Sequence, residues 1–202
     1  MSLAMATRGV TATAMPTDEA ALMARLVKRD SAVFRTLVGA HALRLRRIAY
    51  RMIGDATEAE DIAQEALLRL WEHAARWQPT GSPIGAWLTR VAINLCFDYL
   101  RRRRNLSVAE VPERVDDAPN ADTMMDSDRM RAATIACVQL LSERQRAAIV
   151  LTYYEELPNI SAAEVMDMNI KGFESLLFRA RTALRATMLE NTMIADAVGA
   201  GE

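Results

Sequence analysis

Four consecutive arginines, Arg101 to Arg104, close a stretch in which Arg90, Asn94, Phe97, Arg101 and Arg104 recur at helical spacing. These side chains suit a polyanion. Guanidinium forks match phosphate oxygens in pairs, and an aromatic ring stacks on a base that has left its duplex, so the face reads as a nucleic-acid surface favouring single strands. Ile84, Leu88, Val91, Leu95 and Tyr99 fall on another face and are the expected packing side. The competing reading is a solvated helix whose basic last turn, Arg102 included, complements the helix dipole.

Two further constellations carry non-covalent chemistry. Asp61, Gln64, Glu65, Leu68 and Trp71 or Glu72 lie on a face that the apolar stripe Ile62, Ala66, Leu70, Ala74 and Trp77 does not use. Carboxylates beside apolar groups fit a protein partner, with apolar contact giving affinity and charge giving register. A solvated face with Leu68 covered by its own domain is the alternative. Near the C-terminus, Phe173, Leu177, Ala180, Leu184 and Met188 form a core stripe, while Lys171, Ser175, Phe178, Thr182 and Arg185 point away from it, flanked by Arg179 and Arg181. Short polar groups followed by arginines suit base-edge reading and phosphate clamping in a major groove, and spacing alone equally allows a helix that docks on protein.

Covalent and metal chemistry find little support. His41 and His73 have no Cys or carboxylate at metal-ligand spacing, and no glycine-rich phosphate loop or Ser/His/Asp order stands out, so neither a catalytic residue nor a cofactor is expected. Cys96 and Cys137 are isolated and read as small core residues in a reducing cytoplasm.

The elements positioning these residues are helical. With 51% hydrophobic residues, 5% aromatics and few Gly or Pro in 202 residues, and no alternating β-branched runs, the expected fold is all-α. No apolar run approaches the roughly 20 residues that span a bilayer, so membrane insertion is not expected. Helix signals begin at Thr17, after a tail at 1–16. Asp30 or Ser31 caps a second helix that Gly54 stops, Asp55 or Thr57 opens a third, and Pro83 starts the arginine-tipped fourth. Residues 105–127 lack helical period and carry the acidic run, which makes them a linker between a domain at 17–104 and one at 128–190, with a tail at 191–202. In the second domain Ser142 opens a helix to about Glu155, Ser161 caps a short one to about Met168, and a long one starts near Ile170; the last two form a helix-turn-helix around Asp167-Met168-Asn169. The net charge of −1 hides a polarised chain: residues 1–105 carry +6, 106–128 carry −6, and 129–202 carry −1. Without a large positive field, DNA contact should be local and assisted by a partner.

The string Ala59-Glu60-Asp61-Ile62-Ala63-Gln64-Glu65, with Leu68, Trp71, Trp87-Leu88, Asn94, Asp98 and Leu100-Arg101-Arg102, resembles region 2 of bacterial sigma factors of the extracytoplasmic-function group. Leu141-Ser142-Glu143-Arg144-Gln145-Arg146 and Phe178-Arg179-Ala180-Arg181-Thr182-Ala183-Leu184-Arg185 resemble the two ends of region 4. The resemblance implies a transcription initiation factor that binds core RNA polymerase, through the β′ clamp helices and the β subunit, and promoter DNA. Asp61, Gln64, Glu65, Leu68 and Trp71 would meet polymerase. Arg90, Asn94, Phe97, Arg101, Arg102 and Arg104 would meet the opened −10 strand, with the loop from Gln78 to Pro83 holding an unstacked base. Lys171, Glu174, Ser175, Phe178, Arg179, Arg181 and Arg185 would meet the −35 duplex. Relatives are commonly held by an anti-sigma factor. The chain departs from the family at Lys171-Gly172-Phe173-Glu174-Ser175-Leu176, where Glu174 replaces a cation, and at Asp167, where relatives often have Gly. Rival readings are a free-standing helix-turn-helix regulator, an enzyme acting on nucleic acid, and an adaptor without DNA contact.

Overall fold

A computed structural model describes residues 16–76, 83–107 and 126–199, and the side chains of 19–76, 83–106 and 133–189. Among the described residues there are helices and no strands, in agreement with the all-α expectation. The tail up to Met15, Trp77, most of the Gln78 to Pro83 loop, and most of the acidic linker lie outside the described residues.

The first set of helices is α1 (Pro16–Val27), α2 (Ser31–Ile53), α3 (Ala56–His73) with a 3-10 turn at Ala74–Arg76, and α4 (Ile84–Ser107). Their ends follow local chemistry. Asp30 caps α2, its carboxylate accepting from the N–H groups of Ala32 and Val33 at 2.9 and 3.3 Å. The hydrogen bond from Arg25 is the main reason the Asp30 carboxyl lies below its ordinary value. Gly54 ends α2 in the left-handed region, with φ 78° and its N–H donating to the Tyr50 carbonyl at 2.8 Å. Asp55 then caps α3 through Thr57 and Glu58 at 2.9 and 3.0 Å. Helices α2, α3 and α4 pack together through Leu45, Ile48, Ala66, Leu70 and Leu88, all buried.

The second set is α5 (Asp126–Gln139), α6 (Glu143–Ile149), α7 (Asn159–Val165) and α8 (Ile170–Gly199). Ser142 and Gln145 form a capping box at the start of α6. The expected continuation to Glu155 is not one α-helix: after Ile149 the chain widens into a π turn over Val150–Tyr154. Helix α7 starts at Asn159 with Pro158 as its cap rather than Ser161, because a residue lacking an N–H loses no bond there while its carbonyl still accepts from Ala162 at 2.9 Å. Asp167 takes the left-handed conformation, φ 52°, in the turn to α8. Asn169 then caps α8 by accepting from the Gly172 N–H at 2.8 Å. Helix α8 runs past the expected boundary at 190, since nothing from Ala186 to Val198 is Gly or Pro. Helix α4 likewise passes Arg104 to Ser107.

The two sets share one continuous apolar cluster. Helix α4 is central to it, packing on α2 and α3 and also on α6 and α7. Its buried arc is consequently wider than the predicted stripe. Thr89, Ile93 and Cys96 are buried beside Ile84, Leu88 and Leu95, whereas Val91 and Tyr99 are only partly covered.

Candidate nucleic-acid and partner interfaces

The α3 face was legible residue by residue. The helix buries Ile62, Ala66 and Leu70, which turns Asp61, Gln64, Glu65 and Leu68 outward, Leu68 with 50% of its surface exposed. Glu65 pairs with Arg69 one turn on at 2.8 Å, and the Gln64 amide donates to Glu60 at 3.5 Å. Trp71 behaves differently. Its ring is half-buried against Phe34, with centroids 4.9 Å apart, and the Arg29 guanidinium lies 5.0 Å above it. Much of Trp71 is thus engaged inside its own domain.

On α4 the predicted face divides. Asn94, Arg101 and Arg102 are exposed, and Arg101 pairs with Asp98 at 2.8 Å. Phe97 is half-buried and packs against the core. Arg90 donates to the Glu164 carbonyl of α7, and Arg104 pairs with Glu143 of α6 at 3.0 Å. The second set of helices thus holds the two cations at the ends of this face.

All seven predicted α8 residues, Lys171, Glu174, Ser175, Phe178, Arg179, Arg181 and Arg185, are exposed, as the burial of Phe173, Leu177 and Ala180 on the opposite side requires. Phe178 has 69% of its surface exposed. Arg181 lies over the Tyr153 ring at 5.5 Å. Among the described residues Glu174 has no ion-pair partner, so the pairing with Lys171 that would neutralise it is not formed.

One buried cation escaped sequence reasoning. Arg146 is 7% exposed and donates to the carbonyls of Met52, Gln139 and Leu141 and to the Gln139 side chain. Burial pulls its pKa below the ordinary arginine value. The two alanines that follow it, Ala147 and Ala148, were the only signal that position 146 faces inward. The Cys96 thiol close to it is pushed up to about 12 by burial, which makes it an inert core group. Among the described residues no three His, Cys, Asp or Glu come together as a metal site, and no helix is long and apolar enough to cross a membrane.

Comparison with known proteins follows this division of the chain. The Sigma-70 region 2 family matches residues 37–106, which hold most of α2 and all of α3 and α4, and the Sigma-70 region 4 family matches 131–184, from α5 into α8. The chain is 36% identical over 168 residues to the ECF RNA polymerase sigma factor SigL of Mycobacterium tuberculosis, covering 80% of this chain and 92% of that protein. The chain belongs to the ECF sigma factor family. A second relative, the ECF RNA polymerase sigma factor SigE of Mycolicibacterium smegmatis, is 31% identical over 153 residues, and there the chain spans 59% of the relative's length. Solved structures share the fold. CnrH, in complex with the cytosolic domain of CnrY, aligns at a TM-score of 0.63 and 23% identity over 84% of this chain and 96% of its own. RpoE of Bartonella quintana, in complex with the anti-sigma factor NepR, aligns at 0.62 and 23% over 77% and 96%. In this sigma factor, the α3 and α4 faces fall in the region 2 match and the first part of α8 in the region 4 match.

Proposed function

We propose that the chain is a promoter-specific initiation factor that works as a dissociable subunit of core RNA polymerase. The reading rests above all on the α3 face: Asp61, Gln64, Glu65 and Leu68 stand outward on a helix whose core stripe is fully satisfied without them. In this reading they dock the polymerase clamp helices, with Trp71 supporting the face from its half-buried seat. Asn94, Arg101, Arg102 and Phe97, with Arg90 and Arg104, hold the opened −10 strand by phosphate pairing and stacking. The α8 face from Lys171 to Arg185 reads the −35 duplex, with Glu174 aimed at a base edge that donates, most naturally a cytosine amino group. Such a factor positions DNA without covalent chemistry, needs no cofactor, acts in the cytoplasm, and offers the same faces to an anti-sigma factor.

The test compares two bindings by the full chain. Tight association with core polymerase together with weak binding of promoter duplex by the chain alone supports the reading. Tight sequence-specific duplex binding without polymerase overturns it in favour of a free-standing regulator.

A further inference from the structure

The side chains on the outward face of α8 differ in what holds them. At 3.6 residues per turn, Ser175, Phe178 and Thr182 lie opposite the buried Phe173 and Ala180, while Arg179 and Arg181 lie on the two edges. Lys171 and Arg185 stand at the two ends of the same face. Both edge arginines are tied back to their own domain, the Arg179 Nε donating to the Ser175 carbonyl at 3.3 Å and the Arg181 guanidinium resting over the Tyr153 ring. Cations arranged around a face in this way suit the phosphates that border a groove, which position a helix without reading sequence.

The centre of the face has different chemistry. The Thr182 hydroxyl donates its one proton to the Phe178 carbonyl at 3.1 Å. Phe178 belongs neither to the continuous apolar cluster nor to the residues packed against it, and among the described residues its ring meets no other ring and no cation. A single exposed apolar side chain is ordinary on a protein surface. This one occupies the middle of the face assigned to a duplex, where base edges are touched. The major groove displays donors and acceptors at every base pair but only one apolar group, the C5 methyl of thymine. Glu174 stands one turn before Phe178, about 6 Å along the axis at 1.5 Å per residue. For a helix lying along the groove, that rise equals roughly two base-pair steps of 3.4 Å.

We propose that Phe178 is a specificity-determining residue of this chain, its ring packing on a thymine methyl about two base pairs from the cytosine whose amino group Glu174 accepts. The −35 element then carries a cytosine and a thymine at that spacing. The inference rests on the assignment of α8 to the −35 duplex and goes beyond it by naming the base that the ring selects.

The test uses the full chain assembled with core polymerase, as wild type, Phe178→Ala and Phe178→Leu, each selected against duplexes randomised at −35. The ring is largely exposed, so thermal melts of the variants should match wild type. Wild type should enrich thymine at one position, Phe178→Leu should keep that preference because it keeps an apolar contact, and Phe178→Ala should lose it. Binding is then measured on the selected duplex with that thymine replaced by deoxyuridine, which lacks only the methyl group. Wild type should bind the deoxyuridine duplex about fourfold more weakly, as the loss of one buried methyl group implies, and Phe178→Ala should bind both duplexes alike. No enriched thymine, equal binding of the two duplexes by wild type, or an unchanged thymine preference in Phe178→Ala overturns the inference while the −35 assignment stands. Weaker association of Phe178→Ala with core polymerase in the absence of promoter overturns it in favour of a protein contact. A wild-type selection with no −35 preference at all overturns the assignment of α8, and the inference falls with it.

Discussion

Replacing Arg146 by Met keeps a flexible stem of similar length in the pocket while removing every donor. Three backbone carbonyls, those of Met52, Gln139 and Leu141, lose the guanidinium, as does the Gln139 side-chain oxygen. A buried acceptor left without its donor costs about 1–3 kcal/mol. The Met52 carbonyl can regain water if the domains part, so the lower bound per carbonyl applies, and the sum is about 3 kcal/mol. For a chain of this size, at roughly 2–4 °C per kcal/mol, Tm should fall by about 6–12 °C. Urea titration followed by far-UV circular dichroism measures the loss directly. A loss below about 1 kcal/mol would show that the backbone relaxes or hydrates at no cost, and would refute the view that Arg146 closes both helix ends.

Asp61→Ala combined with Gln64→Ala should abolish association with core polymerase while shifting stability by no more than about 0.5 kcal/mol, as read from co-elution and thermal melts; normal association would remove the α3 face from the interface. Phe97→Ala should slow promoter opening more than closed-complex formation, because an aromatic reaches a base only after unstacking, and a pre-melted template should restore initiation; an equal deficit on both templates would assign Phe97 to packing alone. Glu174→Lys should strengthen promoter binding and steepen its salt dependence by about one unit of log–log slope, since one more phosphate is neutralised. It should also relax preference at one −35 position, and identical preferences in a randomised −35 selection would take Glu174 off the reading surface.

Where one face of one helix decided the outcome, the sequence was a sufficient guide. The period of Ile62, Ala66 and Leu70 fixes where Asp61 and Leu68 point, and the period of Phe173, Leu177 and Ala180 does the same for Glu174 and Phe178. Caps were legible for the same local reason at Asp30, Gly54 and Asp55. What failed was non-local. Helix α4 buries a wider arc, Thr89, Ile93 and Cys96 included, and packs on α6 and α7 from beyond residue 125 as well as on α2 and α3, partners that no period within α4 announces. The same long-range packing turns Arg90 and Arg104 from free cations into domain contacts and buries Arg146. The π turn at Val150–Tyr154 follows an unbroken apolar run that reads equally well as α-helix. At Asp167 the backbone takes the left-handed turn at φ 52° and accepts the strain of a side chain there.

The most direct test of the central claim is multi-round transcription by purified core polymerase on a promoter library, with and without the full chain. The account predicts that the chain restores initiation from a specific subset of templates sharing one −10 and one −35 element, and that Asp61→Ala with Gln64→Ala loses this activity. No restored initiation by a folded chain that nevertheless binds duplex DNA tightly by itself would contradict it.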